Sequence, residues 1–165
     1  MITDVDRKHL QRCVELAAQA LSTGDEPFGS VLVSPGGEVL FEDHNHVAGG
    51  DPTQHPEFAI ARWAANNMTP AERAEATVYT SGEHCPMCAA AHGWVGLGRI
   101  VYASSGKQLG DWLAALDVPE SPVRELSIGE VIRDAQVEGP VQEFAEQVRQ
   151  LHISFHTRAD NKPAG

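Results

Sequence analysis

The chain has 165 residues, of which 23 are acidic and 12 basic, for a net charge of −11. A chain of this size folds as one domain around one core, and the absence of any apolar run near the ~20 residues of a membrane span excludes an integral membrane reading. No Lys/Arg cluster accompanies the acidic excess, which argues against a protein that grips a phosphate backbone.

From Asp6 to Leu21, apolar residues recur at Leu10, Cys13, Val14, Ala17, Ala18 and Leu21, the stripe of an amphipathic helix that Gly24 ends. Phe28 to Val33 predicts a buried strand, and Pro35-Gly36-Gly37 turns it into a second, Glu38 to His44. Val47 to Gln54 reads as a loop delivering the chain to a helix that begins at Pro56. That helix is apolar nearly all round, with Phe58, Ile60, Trp63 and Ala64, so it should be covered on more than one side. Asn66 to Glu75 reads as a polar connector, and Ala76 to Thr80 as a central strand. A helix from Pro86, a strand at Ile100 to Ala103 and a short helix from Lys107 to Leu116 follow. Ser127-Ile128-Gly129-Glu130 matches a capping box, and Val141 to Phe155 carries a last helical stripe. Residues 157–165 have no pattern and are expected to be mobile or swapped into another subunit. The order predicts a three-layer α/β/α domain with a mixed sheet of about five strands.

Chemistry concentrates in two short stretches. Cys85-Pro86-Met87-Cys88 places two thiols one helical turn apart, and His55-Pro56-Glu57 adds an imidazole and a carboxylate some thirty residues upstream. Two thiols and one imidazole are a zinc ligand set, and three protein ligands leave a fourth position for water, as catalytic zinc sites do. A proline fits the first turn of a helix, so each stretch should open one. His55 and Glu57 would diverge in a helix interior, but at a helix start they need not. Two helix N-termini aimed at one ion would favour thiolate over thiol. The third thiol, Cys13, falls on an apolar helical face, which leaves no disulfide framework and points to a reducing, cytoplasmic setting.

His-x-Glu followed by Pro-Cys-x-x-Cys is the signature of the zinc deaminases. With Glu26-Pro27-Phe28-Gly29-Ser30-Val31-Leu32-Val33, His44-Asn45-His46-Val47 and Gly139-Pro140-Val141, the chain resembles the cytidine deaminase-like superfamily, and most of all its guanine deaminase branch. The resemblance implies Zn2+ on His55, Cys85 and Cys88, with Glu57 as the non-ligand proton carrier. It implies that Asn45 binds the substrate base, the alternative reading being a turn residue that closes the second strand. Phe28, Trp94 and His84 are candidates for pocket wall or stacking, ordinary core being the other reading of Phe28 and Trp94. Asp111 is either an acceptor for the base or a solvated helix residue. His84 stands where the signature has proline, which bears on substrate choice. The implied reaction is hydrolytic deamination of a free nucleobase, by a homodimer that exchanges C-terminal segments. A transfer-RNA adenosine deaminase, and a non-enzymatic zinc-stabilised module or thiol-redox protein, are the competing readings.

Overall fold

The computed structural model describes residues 1–158, so of the tail only Thr157 and Arg158 can be compared with expectation. Thr3 opens the first helix, α1 (Asp4–Ser22), through a reciprocal cap: its hydroxyl accepts from the Asp6 N–H, and the Asp6 carboxylate accepts from the Thr3 N–H. Leu10, Cys13, Val14 and Ala17 of the expected stripe are buried, whereas Ala18 is exposed and Leu16 and Ala20 complete the buried face instead.

The hairpin forms as read, with β1 (Gly29–Val33) antiparallel to β2 (Val39–His44). β1 is buried at every position and comes so close to α1 that a Cβ on Gly29 would lie 2.5 Å from the Cys13 carbonyl oxygen. Only glycine fits there. After a 3-10 turn at Val47–Gly49, α2 (Pro56–Asn67) starts at the expected proline. The supposed connector is itself a helix, α3 (Pro70–Glu75), which Thr69 and Glu72 cap reciprocally with Pro70 in the first turn. Its start signal is the same Thr-x-x-Glu pattern that marks capping boxes elsewhere.

β3 (Thr77–Gly82), α4 (Pro86–Val95) and β4 (Ile100–Ser104) make a strand–helix–strand unit whose strands are parallel. α5 (Gly106–Ala115), the single turn α6 (Ile128–Val131), β5 (Val137–Glu138) and α7 (Gln142–His156) complete the described chain. The sheet order is β2-β1-β3-β4-β5, with β1 antiparallel to both neighbours and β3, β4 and β5 parallel.

Period-two alternation sorts the strands into two apolar layers. Val31, Val33, Tyr79, Val101 and Ala103 face α1 and α7, where Leu10, Val14, Phe144 and Val148 meet them. Leu32 and Val78 face the other way onto Ile60 and Ala64 of α2, and Ile100 onto Ala89 of α4 and Ile128 of α6. The result is the three-layer α/β/α arrangement with a mixed five-stranded sheet. Trp94 departs from its core reading: it is 90% exposed, on the outer face of α4. Among the described residues, no helix is long and apolar enough to cross a membrane.

Candidate metal centre and active site

His55 is the N-cap of α2 and Cys85 the N-cap of α4, each followed by a proline in the first turn. The His55 side chain makes no capping hydrogen bond to α2. Its imidazole is left for the thiol of Cys85, which also bonds with Cys88 on the first turn of α4. Nδ1 of His55 lies 3.5 Å from Sγ of Cys85 and 3.5 Å from Sγ of Cys88. A tetrahedral zinc ion about 2.3 Å from sulfur and about 2.0–2.1 Å from nitrogen would hold N and S about 3.5 Å apart. Both nitrogen–sulfur distances therefore match zinc, and all three donor atoms lie within 4.8 Å of one another. Cys88 is fully buried, and His55 and Cys85 are half-buried.

Taken as side chains alone, the cluster already holds separated charge. The hydrogen bond to Cys85 pushes the His55 imidazolium up to about 9, against the effect of burial. Cys85 is drawn down to about 4, first by its hydrogen bond with Cys88 and also by His55. Cys88 is driven far up, because it supplies that hydrogen bond and because it is buried. One thiolate, one thiol and one imidazolium result, and a dication would displace the two protons.

Glu57 sits in the first turn of α2, buried beside this cluster. His55 has extended backbone angles, φ −91° and ψ 141°, so the divergence of a helix interior does not arise. The Glu57 Oε1 accepts from the Thr80 hydroxyl at 2.7 Å and lies 3.1 Å from the Ser30 hydroxyl, which donates to Thr80 at 2.8 Å. Burial pushes the Glu57 carboxyl up, and the Thr80 bond pulls part of the way back. Ser30 and Thr80 are register partners across β1 and β3. They occupy the sheet face of Leu32 and Val78, the face that receives α2. Sequence reasoning passed over both, although hydroxyls at apolar-face positions of two buried strands were the available signal.

The sequence matches the family model for the cytidine and deoxycytidylate deaminase zinc-binding region over residues 3–104, more than half of the chain. The chain belongs to this family of zinc deaminases. It is similar to a probable cytosine deaminase of Schizosaccharomyces pombe (31% identical over 66% of this chain and 65% of that protein). It is similar also to the guanine deaminase of Bacillus subtilis (33% over 58% and 62%) and to a tRNA-specific adenosine deaminase of Haemophilus influenzae (31% over 66% and 63%). The match spans less than two thirds of the length of each of these relatives. Among solved structures, the fold resembles the guanine deaminase of Nitrosomonas europaea, with a TM-score of 0.71 at 18% identity over 96% of this chain and 87% of that one.

Other side chains of this deaminase-family domain gather at the same end of the sheet. Gly29 pairs with His44 and Ser30 with Thr80, so Asn45, one residue beyond β2, lies at the edge where β3 runs into the cysteine loop. Asn45 is buried, its N–H donates to the Phe28 carbonyl at 3.0 Å, and its Oδ1 accepts the Val47 N–H at 3.0 Å. Its Nδ2 is buried and has no hydrogen-bond partner among the described residues. Phe28 is half-buried, with its ring against Gly82, where a Cβ would come within 3.2 Å, and edge-on to His152 at 4.9 Å. His84 is buried and edge-on to His92 at 5.3 Å, and burial holds its imidazole neutral, well below the usual range. Asp111 is placed apart from these: it is exposed on α5 and paired with Lys107 at 2.7 Å. The solvated-helix reading describes that position. Glu83, which sequence reasoning did not single out, accepts the Gly106 N–H at 2.9 Å and the Ile128 N–H at 3.0 Å, tying the starts of α5 and α6 to the cysteine loop.

Proposed function

We propose that this chain hydrolyses the exocyclic amine from a free nucleobase or related amino-heterocycle, with guanine or an aminopurine first and cytosine-like or triazine rings next. The observation that carries the reading is the buried Glu57 carboxyl, seated on Ser30 and Thr80 beside a histidine nitrogen 3.5 Å from each of two cysteine sulfurs. His55, Cys85 and Cys88 would hold the metal. Zinc bound there supplies the Lewis acidity that makes a water reactive near neutral pH.

The remaining work falls to the chain's own groups. Glu57, with its proton affinity raised by burial, takes a proton from the attacking water and passes it to the ring nitrogen. A second transfer carries the other proton to the amine, which leaves as ammonia while the ring carbon keeps the oxygen. A carboxyl serving as base and then acid works best with a pKa raised toward the operating pH, and that is the direction burial gives it. Asn45 offers a free N–H donor, its carbonyl being engaged by Val47, so it suits a base that presents a ring nitrogen or carbonyl acceptor. Phe28 would form apolar wall, and His84 a neutral wall behind the cysteine loop. Asp111 enters only if a substrate or a partner chain closes over α5.

The similarity to a tRNA adenosine deaminase favours a second reading, whereas the net charge of −11 weighs toward a small uncharged base. The reduced thiols suit a cytoplasmic setting, and a homodimer is part of the proposal through the resemblance. The deciding experiment measures ammonia from the zinc-loaded protein offered guanine, cytosine, a triazine and an anticodon stem-loop bearing the target adenosine. Release from a free ring is expected. Release from the RNA alone, or from nothing, would overturn the proposal.

A further inference from the structure

A second group of metal-ligating side chains lies outside the catalytic cluster and shares no residue with it. Asp25, in the loop after α1, and His44 and His46, at the end of β2, each place one donor atom within 4.8 Å of the other two. Their hydrogen bonds decide which atoms are free. Nδ1 of His44 lies 2.8 Å from the Asn45 carbonyl and must donate to it, which leaves Nε2 with its lone pair. Nε2 of His46 lies 2.8 Å from the Asp43 carboxylate and donates there, which leaves Nδ1. Among the described residues neither remaining nitrogen has a hydrogen-bond partner. A histidine that gives its other N–H to a carbonyl or a carboxylate is the arrangement that orients an imidazole toward a metal and makes it more basic.

The third donor is prepared in the same way. Asp25 is 6% exposed, and its carboxylate is fixed by the Ala48 N–H at 2.9 Å and the Thr23 hydroxyl at 2.7 Å. Each oxygen keeps a lone pair beyond those bonds. The two imidazole rings lie 4.3 Å apart at 35°. Donors around one tetrahedral ion at about 2.0–2.1 Å stand about 3.4 Å apart, so a group held within 4.8 Å closes on an ion by moving inward. His46, nearly half exposed, can make that movement.

We propose that Asp25, His44 and His46 form a second site for a divalent transition-metal cation of the kind imidazole and carboxylate prefer, zinc, cobalt or nickel, with Asp43 as the positioning carboxylate behind His46. The site would pin the loop after α1 to the residues on either side of Asn45, and so fix the backbone from which that amide points.

The test titrates cobalt(II) into the untagged, metal-stripped full chain under reducing conditions, with metal counted per chain after gel filtration. Thiolate ligands give strong near-ultraviolet charge-transfer absorption and imidazole–carboxylate sites do not, so the two sites report separately. The wild type is expected to take two equivalents, only the first of them adding thiolate absorption. His46→Ala, a change at an exposed position, is expected to take one equivalent with the thiolate band intact. Asp43→Ala is expected to weaken the second equivalent by roughly 10–100-fold. Saturation of the wild type at one equivalent, or two equivalents retained by His46→Ala, would overturn the second site. Either result leaves the thiolate band, and with it the catalytic cluster, to be judged on its own.

Discussion

The Glu57 carboxyl is held between opposing influences: burial raises its proton affinity, and the hydroxyl of Thr80 lowers it. The Thr80 hydroxyl bonds to Oε1, Ser30 backs Thr80, and the Glu57 backbone N–H also favours the carboxylate. Glu57→Gln keeps the shape and the hydrogen-bond partners but cannot carry a proton. We expect it to retain zinc at wild-type stoichiometry and to lose about 10²–10⁴-fold in ammonia release, with zinc content and rate measured on one preparation. Wild-type turnover in that variant would remove Glu57 from the chemistry. Thr80→Val takes away a bond that favours the carboxylate, so the Glu57 carboxyl should rise further. Its basic form would then be available only at higher pH, and the acidic limb of the kcat/KM profile should move upward. A limb that stays in place would show that another group sets it.

At the scale of elements, what positions the site is a set of capped helix starts on a sheet whose far layer is locked by one buried carboxylate. Asp6 in α1 accepts from Tyr79 in β3 at 2.7 Å and from Arg99 before β4 at 2.7 Å, and Arg99 also pairs with Glu138 in β5. Burial works against the Asp6 carboxylate, but Arg99, the Thr3 N–H and Tyr79 outweigh it and hold its pKa far below the ordinary range. A lowered carboxyl stabilises the fold fully above its unfolded value of about 3.9 and loses that contribution as pH falls through the folded value. Asp6→Asn should therefore cost about 1–3 kcal/mol in urea unfolding near pH 7, and the gap to wild type should narrow only below about pH 4. A gap unchanged into strong acid would contradict the pairing.

Much of this layout was legible in the sequence where one residue type does one job. Pro56 and Pro86 mark two helix starts, and the Ser127–Glu130 cap marks a third. The rest escaped for physical reasons. α3 is short and polar, so its signs are only the Thr69–Glu72 cap and Pro70 in the first turn. β5 is two residues long and exists because Ile100 and Val101 offer it an edge, a tertiary cause with no local signature. The support under Glu57 comes from cross-strand register, which pairs Ser30 with a residue fifty positions away. Trp94 follows an apolar helical pattern yet faces outward, since α4 covers the sheet with small residues instead.

Across the whole molecule, two loop-to-helix transitions far apart in sequence, at His55 and at Cys85, are brought together because α2 and α4 pack side by side on one face of the sheet. The other face, packed with α1 and α7, contributes no side chain to the cluster. The acidic total belongs to this scale as well, since it disfavours long polyanionic substrates without touching the chemistry of the cluster. The central claim is that one imidazole and two thiolates bind zinc while leaving it a position open. Zinc K-edge X-ray absorption, on protein loaded with one equivalent under reducing conditions, tests it most directly. The account predicts two sulfur neighbours at about 2.3 Å and two nitrogen or oxygen neighbours at about 2.0–2.1 Å. A shell of four sulfurs, or one with no sulfur at all, would contradict it.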